Sequence, residues 1–269
     1  VKLNIISKKK NNFPNKILFD HSNTIFKPLW TYFFESKNIK NIVYFYSTNN
    51  VPIVYNEDKA KKINNFIAHG WELMNWNNYL VWDEHQLSFF SDYFNINKNY
   101  FKITGPIPFG GSLYLPKNKK KIISVFDVTP FQMTSYKKLG LPEIYYDFEN
   151  IKKFYENLCQ FSSNDYTFIF KIKRITKNTD PNYIEYLESL KKKDFNIVEN
   201  ICSFSLIKSS SKVISLPFSS PSIIAKHYNV GSIFFDPTNK LKFLNDYKFI
   251  NHDIQIFYRN EIEEWLFKR

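Results

Sequence analysis

The chain has 269 residues with 43% hydrophobic and 19% aromatic content, which is enough for one large or two modest folded domains. No apolar run reaches the ~20 residues that a membrane-spanning helix needs, and the start of the chain lacks the apolar stretch of a secretory signal. The net charge of +12 favours anionic partners, although the excess of Lys over Arg is also typical of an AT-rich genome.

The first hundred residues alternate short apolar runs with amphipathic segments. The runs predict strands and the segments predict helices: strands at Ile17–Phe19, Ile42–Tyr46, Tyr79–Trp82 and Phe101–Gly105, and helices at Pro28–Ser36 and Asp83–Phe94. This alternation is typical of βαβ units with a parallel sheet.

The densest Gly/Pro cluster of the chain, Gly105–Gly111, predicts a linker. It divides the sequence into residues 1–105 and residues 106–269. No GxGxxG dinucleotide fingerprint occurs in either part.

The second part repeats the alternation. Strands are predicted at Ile122–Asp127, Tyr166–Phe170, Phe195–Val198, Val213–Leu216, Ser232–Phe235 and Ile254–Phe257, and helices at Phe148–Phe161, Pro181–Lys192, Ile201–Ser209, Ser222–Tyr228 and Glu261–Phe267. The segment Val128–Asp147 is rich in Pro and Gly and is predicted to be a long irregular loop. The only cysteines, Cys159 and Cys202, have no metal-ligand spacing and are expected to be free thiols in a reducing cytoplasm.

One turn in this part combines several signals. Pro217-Phe218-Ser219-Ser220 lies between a predicted buried strand and a predicted helix, and either serine can cap that helix. A helix start at the carboxyl end of a parallel strand offers N–H groups to an anion. The serines therefore either cap the helix only or also contribute to an anion site.

The same turn carries a resemblance to a known family. The PFSS turn, with FFDP downstream, resembles the PFTS signature of bacterial polysaccharide-biosynthesis proteins and the donor-binding half of GT-B glycosyltransferases. The segments FKPLWTYFF and WNNYLVWDEHQ are similar to the same family, with Lys27 where its pattern prefers Arg. The resemblance implies an α/β, GT-B-like fold of two Rossmann-like domains, a partial acceptor-side domain in residues 1–105 and a nucleotide-sugar-binding domain in residues 106–269. The first domain is short for this fold and is predicted to be incomplete.

Polar groups that suit a diphosphate follow three of the predicted strands. The candidate donor-binding residues are Lys171, Lys173, Arg174, Ser219, Ser220 and Asp236. Cations and helix N–H groups suit the phosphates, and the carboxylate of Asp236 suits a ribose or sugar hydroxyl. No DxD motif or His/Cys cluster argues for a metal, so neither a metal nor a cofactor is expected beyond the nucleotide-sugar substrate.

Inverting transfer also needs a general base for the acceptor hydroxyl. The resemblance implies that the N-terminal domain supplies it, and the candidate catalytic residues are His21 and Asp83, with Glu84, His85 and His69 as weaker choices.

These observations predict a glycosyltransferase that moves a sugar from a nucleotide-sugar to a surface polysaccharide or a lipid-linked acceptor. We expect it in the cytoplasm, with peripheral contact to the anionic inner face of the membrane. The alternatives are a nucleotide-sugar epimerase of the same architecture, a basic nucleic-acid-binding protein and an inactive homologue that acts as an assembly partner. Nucleic acid is not expected as a partner, because the basic residues are mostly Lys and are spread along the chain.

Overall fold

The structure is a computed structural model that describes residues 14–20, 27–48, 74–107, 121–138, 145–161, 165–241 and 253–267. These residues divide into two units, one formed by the residues up to 107 and the other by the residues from 121 onward. No helix among them is both long and apolar enough to cross a bilayer.

The first unit is built on a parallel sheet. Its elements are β1 (Lys16–Phe19), α1 (Trp30–Glu35), β2 (Lys40–Tyr44), β3 (Tyr79–Val81), α2 (Glu84–Ser88) and β4 (Phe101–Ile103). Helix α2 continues as a π-helical turn at Phe89–Tyr93, and a 3₁₀ turn at Lys98–Tyr100 precedes β4. The strands lie in the order β1-β2-β3-β4 and every neighbouring pair is parallel. Stacked rings of Phe45, Tyr79, Phe90 and Phe101 form much of its core.

A buried lysine fixes α1 in this unit. The side chain of Lys27 is only 4% exposed, and its ammonium lies 2.6 Å from the Glu35 carboxylate. It also lies 4.3 Å from the centre of the Tyr32 ring. A buried ion pair contributes little net stability, but removing one partner is costly because the other charge is left unpaired. Lys27 therefore takes a structural role at the position where the family pattern prefers Arg.

The second unit contains a larger parallel sheet. Its elements are β5 (Lys121–Phe126), α3 (Met133–Lys138), α4 (Phe148–Cys159), β6 (Tyr166–Lys171), α5 (Pro181–Lys191), β7 (Ile197–Val198), α6 (Ser203–Ser209), β8 (Lys212–Ser215), α7 (Ser220–His227), β9 (Gly231–Phe235), β10 (Ile256–Phe257) and α8 (Arg259–Phe267). The six strands lie in the order β10-β9-β8-β5-β6-β7, and all neighbours are parallel.

The sequence explains why these segments become sheet and helix. The central strands β5, β8 and β9 are apolar on both faces, as expected for strands that are covered by helices on both sides. Helix α4 buries Ile151, Phe154, Tyr155 and Leu158 at helical spacing. The predicted α/β class with parallel sheets is confirmed.

The prediction of an irregular loop over Val128–Asp147 is wrong in part. The chain forms α3 at Met133–Lys138 within it. Pro130 before this helix and Gly140 and Pro142 after it dominate the local sequence signal, and they mask a short helix-compatible stretch between them.

The strand order of the second sheet reverses between β5 and β8. From β5 the chain first builds β6 and β7 on one side, and then returns to build β8, β9 and β10 on the other side. In open parallel sheets, ligands bind beyond the carboxyl ends of the strands at such a switch point. The fold therefore directs attention to the residues that follow β5 and β8.

Candidate functional site at the switch point of the second sheet

The residues at the carboxyl ends of four strands lie in one cross-strand row. Phe126 of β5 pairs with Lys171 of β6 on one side and with Ser215 of β8 on the other, and Ser215 pairs with Phe234 of β9. Neighbouring strands are about 4.8 Å apart, so the ends of β6 and β8 are separated by about 10 Å with the end of β5 between them. The predicted donor-binding residues lie at the end of β6 or follow β6, β8 and β9, so the structure brings them to one edge of the sheet.

The PFSS turn after β8 has an unusual backbone. Phe218 has a φ of 61°, in the left-handed region that a bulky side chain rarely occupies. Its ring is 3% exposed and lies 5.7 Å from the ring of Phe234. The conformation is held from outside the turn as well, because the Tyr146 hydroxyl donates to the Pro217 carbonyl at 2.7 Å. Strain of this kind persists only where the surroundings enforce it, and it clusters at functional sites.

The two serines of the turn have different environments. Ser219 is buried, and its hydroxyl donates to the Leu216 carbonyl at 2.7 Å. It occupies the N-cap position of α7 but makes no side-chain cap hydrogen bond. Ser220 begins α7 and is half-buried. The hydroxyl of Ser219 is therefore used to shape the turn, and Ser220 is the better placed of the two to meet a ligand.

Buried serines attach the start of α7 to the sheet. The Ser222 hydroxyl donates to the Ile233 carbonyl at 2.8 Å and lies 2.7 Å from the Ser215 hydroxyl. The Ser232 hydroxyl donates to the Ser222 carbonyl at 3.0 Å. These bonds join α7 to both β8 and β9, so the helix start cannot shift without breaking buried hydrogen bonds.

The end of β6 presents cations. Lys171 is half-buried and donates to the Ile172 carbonyl at 2.6 Å, while Lys173 and Arg174 are exposed. Desolvation lowers the pKa of Lys171 and of Lys173, and the negative charge of Asp127 partly offsets this for both lysines. The arrangement suits an anionic ligand, because a bound negative charge also favours the protonated lysines.

Asp127 itself is a site residue that the sequence reasoning missed. It follows β5 directly, at the switch point, and is 6% exposed. Its carboxylate accepts hydrogen bonds from the hydroxyls of Tyr155 at 2.8 Å and of Tyr183, and from the Lys173 N–H at 3.2 Å. Desolvation raises the pKa of this carboxyl above its usual value, despite these three donors. The available signal was a single acidic residue at the end of an otherwise apolar strand.

Asp236, which follows β9, holds a loop in place. The carboxylate is fully buried and accepts hydrogen bonds from the Tyr145 hydroxyl at 2.7 Å, from the N–H and hydroxyl of Thr238, and from the Leu241 N–H at 2.9 Å. Direct contact between Asp236 and a ribose or sugar stays a prediction, and it requires one of these bonds to be released. Tyr145 and Tyr146 are a further pair that the sequence reasoning missed, since one bonds the loop after β9 and the other bonds the PFSS turn.

The two candidate catalytic residues belong to the N-terminal part of the chain. His21 lies outside the described residues. Asp83 follows β3, is half-buried and caps α2 by accepting from the Gln86 N–H at 2.9 Å. Gln86 in turn bonds the Trp82 N–H and the Ser47 carbonyl, so Asp83 is held at the carboxyl edge of the first sheet.

Across the part of the chain that the structure describes, no group of three or more His, Cys, Asp or Glu side chains is arranged to hold a metal ion.

Together, the fold and this edge define a two-unit α/β protein whose second sheet has the strand order of the doubly wound Rossmann fold, with the PFSS turn and a helix start at its switch point. The chain belongs to the polysaccharide biosynthesis PFTS motif protein family, whose model matches residues 2–266. The family resemblance expected from the PFSS turn is thus confirmed.

Solved structures similar to the chain are glycosyltransferases and a polymerase. The wall teichoic acid polymerase TagF is 14% identical with a TM-score of 0.41, and the match covers 78% of this chain and 52% of TagF. The pneumococcal O-GlcNAc transferase GtfA, solved with UDP and GlcNAc, is 11% identical with a TM-score of 0.41, covering 82% of this chain and 42% of GtfA. A variant of S. aureus TarM is 13% identical with a TM-score of 0.38, covering 85% of this chain and 43% of TarM.

The chain spans about half the length of TagF. No curated protein sequence matches it.

Proposed function

We propose that the chain is a glycosyltransferase that moves a sugar from a nucleotide-sugar to a surface polysaccharide or its lipid-linked precursor, and that the edge of its second sheet binds the donor. The observation that carries the proposal is the position of the family's PFSS turn. It lies at the switch point of a parallel sheet, at the start of α7, with the cationic end of β6 about 10 Å away. Membership in a polysaccharide-biosynthesis family supports the same reaction class.

The proposed chemistry follows from the charge that develops during transfer. When the sugar–phosphate bond breaks, negative charge grows on the departing nucleoside diphosphate. Lys171, Lys173 and Arg174 and the N-terminal N–H groups of α7 are preorganised to stabilise that charge. We assign charge compensation to these groups and propose that donor binding does not depend on a metal.

The first experiment is a thermal-shift screen against UDP, GDP, CDP and CMP, with and without EDTA. A nucleotide at about 100 times its dissociation constant stabilises the folded state by about 2.7 kcal/mol, which raises the Tm of a chain of this size by roughly 5–10 °C. We expect one nucleoside diphosphate to stabilise the chain equally with and without EDTA. A well-folded chain that none of the four stabilises would contradict the proposal.

Variants then locate the site. Ser220→Ala and Lys173→Met are expected to reduce the shift, because each removes a polar group from the proposed diphosphate site. Ser209→Ala and Lys177→Met make the same chemical changes at exposed positions elsewhere and are expected to leave the shift unchanged. Equal shifts in all four variants would place the nucleotide at another site.

Acceptor activation is assigned to the N-terminal part of the chain, with Asp83 and His21 as the candidate bases. Asp83→Ser is the sharper variant, because serine still caps α2 but cannot act as a base. We expect it to lower kcat and to leave nucleotide binding intact. Release of free nucleoside diphosphate only in the presence of an acceptor would separate transfer from epimerisation.

We also propose that the protein works in the cytoplasm, in peripheral contact with an anionic membrane face, which its net charge of +12 favours. Binding to vesicles that contain anionic lipid, weakened by salt and absent with neutral lipid, is the expected result. Binding that is independent of lipid charge would contradict it.

A further inference from the structure

Asp127 is a buried carboxylate that the proposed reaction does not itself require. It lies at the switch point, between the cationic end of β6 and the PFSS turn after β8. Burial of a carboxylate is expensive unless hydrogen bonds and charges compensate for it. Its presence at this position therefore needs an explanation from its contacts.

Three structural elements converge on this carboxylate. Tyr155 comes from α4, Tyr183 comes from α5, and the N–H of Lys173 comes from the residues just after β6. Both hydroxyls donate to Oδ2, and the Lys173 N–H donates to Oδ1 at 3.2 Å. Asp127 thus fixes the main chain of the cationic segment relative to β5 and two helices.

The negative charge of the same carboxylate also acts on both lysines. Desolvation lowers the pKa of Lys171, while Asp127, Glu199 and Cys202 act in the opposite direction. Desolvation also lowers the pKa of Lys173, while Asp127 raises it and Arg174 lowers it further. Asp127 is the acidic group that acts on both lysines.

We propose that Asp127 is a positioning residue of the anion site, which fixes the main chain of Lys173 and balances the positive charges of Lys171 and Lys173, the cations that would hold a diphosphate. The inference rests on the proposed function, because it names a residue that tunes the same site. Tyr155 and Tyr183 hold the carboxylate, and the carboxylate acts on the ligand only through the two lysines.

Asp127→Asn tests this, because asparagine keeps the shape and the Oδ1 acceptor but removes the charge. Affinity for the nucleoside diphosphate that stabilises the wild-type chain is measured from neutral to alkaline pH. Without the carboxylate, the pKa of both lysines falls, so the variant loses affinity at a lower pH than the wild type. We expect the ratio of wild-type to variant affinity to rise with pH, while the titration of the nucleotide itself cancels in that ratio.

Two control variants separate charge from packing. Tyr183→Phe removes one hydrogen-bond donor but keeps the carboxylate charge. The ratio of wild-type to Tyr183→Phe affinity should therefore stay constant as the pH rises. Asp147→Asn makes the same chemical change at the N-cap of α4, where asparagine also caps, and should leave the pH profile as in the wild type. An Asp127→Asn ratio that does not change with pH would reduce Asp127 to a packing role and overturn the inference, while nucleotide binding by the wild type would leave the proposed function standing.

A reciprocal measurement without nucleotide covers the case in which Asp127→Asn does not fold. The folded-state pKa of Asp127 is raised, so its contribution to stability is present in acid and is lost as the pH rises through that pKa. Lys171→Met removes a positive charge that lowers this pKa. The destabilisation caused by Lys171→Met should therefore be larger at neutral pH than in acid. The comparison is made in a Glu199→Gln background, so that Glu199 cannot supply the pH dependence. A destabilisation by Lys171→Met that is the same in acid and at neutral pH would overturn the coupling.

Discussion

Phe218 offers the sharpest test of the backbone geometry in the PFSS turn. Its ring is buried against Phe234, while its φ of 61° is unfavourable for any residue with a side chain. Phe218→Ala should destabilise the chain by about 3–5 kcal/mol through loss of the ring. Phe218→Gly loses the same ring, but it also relieves roughly 1–2 kcal/mol of left-handed strain. The greater freedom of glycine in the unfolded chain offsets roughly 0.5–1 kcal/mol of that gain. Glycine should therefore be more stable than alanine at this position by about 0.5–1 kcal/mol.

Urea unfolding of both variants measures this difference, and Phe234 provides the matched control. Phe234 is also buried and its ring contacts the ring of Phe218, but Phe234 lies in the regular strand β9. There alanine should be more stable than glycine by roughly 0.5–1 kcal/mol, as at an ordinary strand position. If alanine were also the more stable residue at position 218, the turn would not be held in the left-handed region.

Three further predictions concern contacts elsewhere in the chain. Cys202 should react with a thiol reagent before Cys159 does, and mass spectrometry of the labelled peptides checks the order. Burial raises the pKa of the Cys159 thiol to about 12. At Cys202, hydrogen bonds at the start of α6 outweigh desolvation and lower the pKa of the thiol. Lys212→Met should lower the free energy of unfolding by about 1.5–3 kcal/mol and speed amide exchange in α8, because the ammonium donates to two carbonyls at the end of that helix. As the control, Lys226→Met loses only an exposed ion pair and should lower it by less than about 1 kcal/mol. Gln86→Ala should cost about 1–3 kcal/mol in urea unfolding, because it removes the acceptor of the buried Trp82 N–H and a donor to the Ser47 carbonyl; a cost near zero would show that water replaces the side chain.

Local sequence signals were sufficient to predict most of the second sheet. The strand predicted at Val213–Leu216 is β8 at Lys212–Ser215, and the helix predicted at Ser222–Tyr228 is α7 at Ser220–His227. Both follow from apolar runs that are bounded by turn residues, and such signals lie within a few neighbouring positions. The order of the strands in the sheet depends on pairing between distant segments, so the structure and not the local sequence gives it.

The residues that the sequence reasoning missed are those whose role depends on distant partners. Tyr155 lies in the helix predicted at Phe148–Phe161 and is buried, but its hydroxyl reaches Asp127 at a separation of 28 residues. Tyr145 lies in the segment predicted to be a long loop, and its hydroxyl reaches Asp236 at a separation of 91 residues. No periodic pattern or motif encodes a hydrogen bond between such positions, because each partner alone has an ordinary local explanation.

The edge of the second sheet separates residues that shape the site from residues that can meet a ligand. Asp127, Ser219 and Asp236 have the side chains most typical of a functional site, yet all three are buried and bonded to the protein itself. Lys173 and Ser220 are exposed and half-buried, respectively. Substitutions in the buried group should therefore lower stability and nucleotide affinity together, whereas substitutions at Lys173 and Ser220 should lower affinity alone. Unchanged nucleotide affinity in the Lys173 and Ser220 variants would mean that the nucleotide does not bind at this switch point.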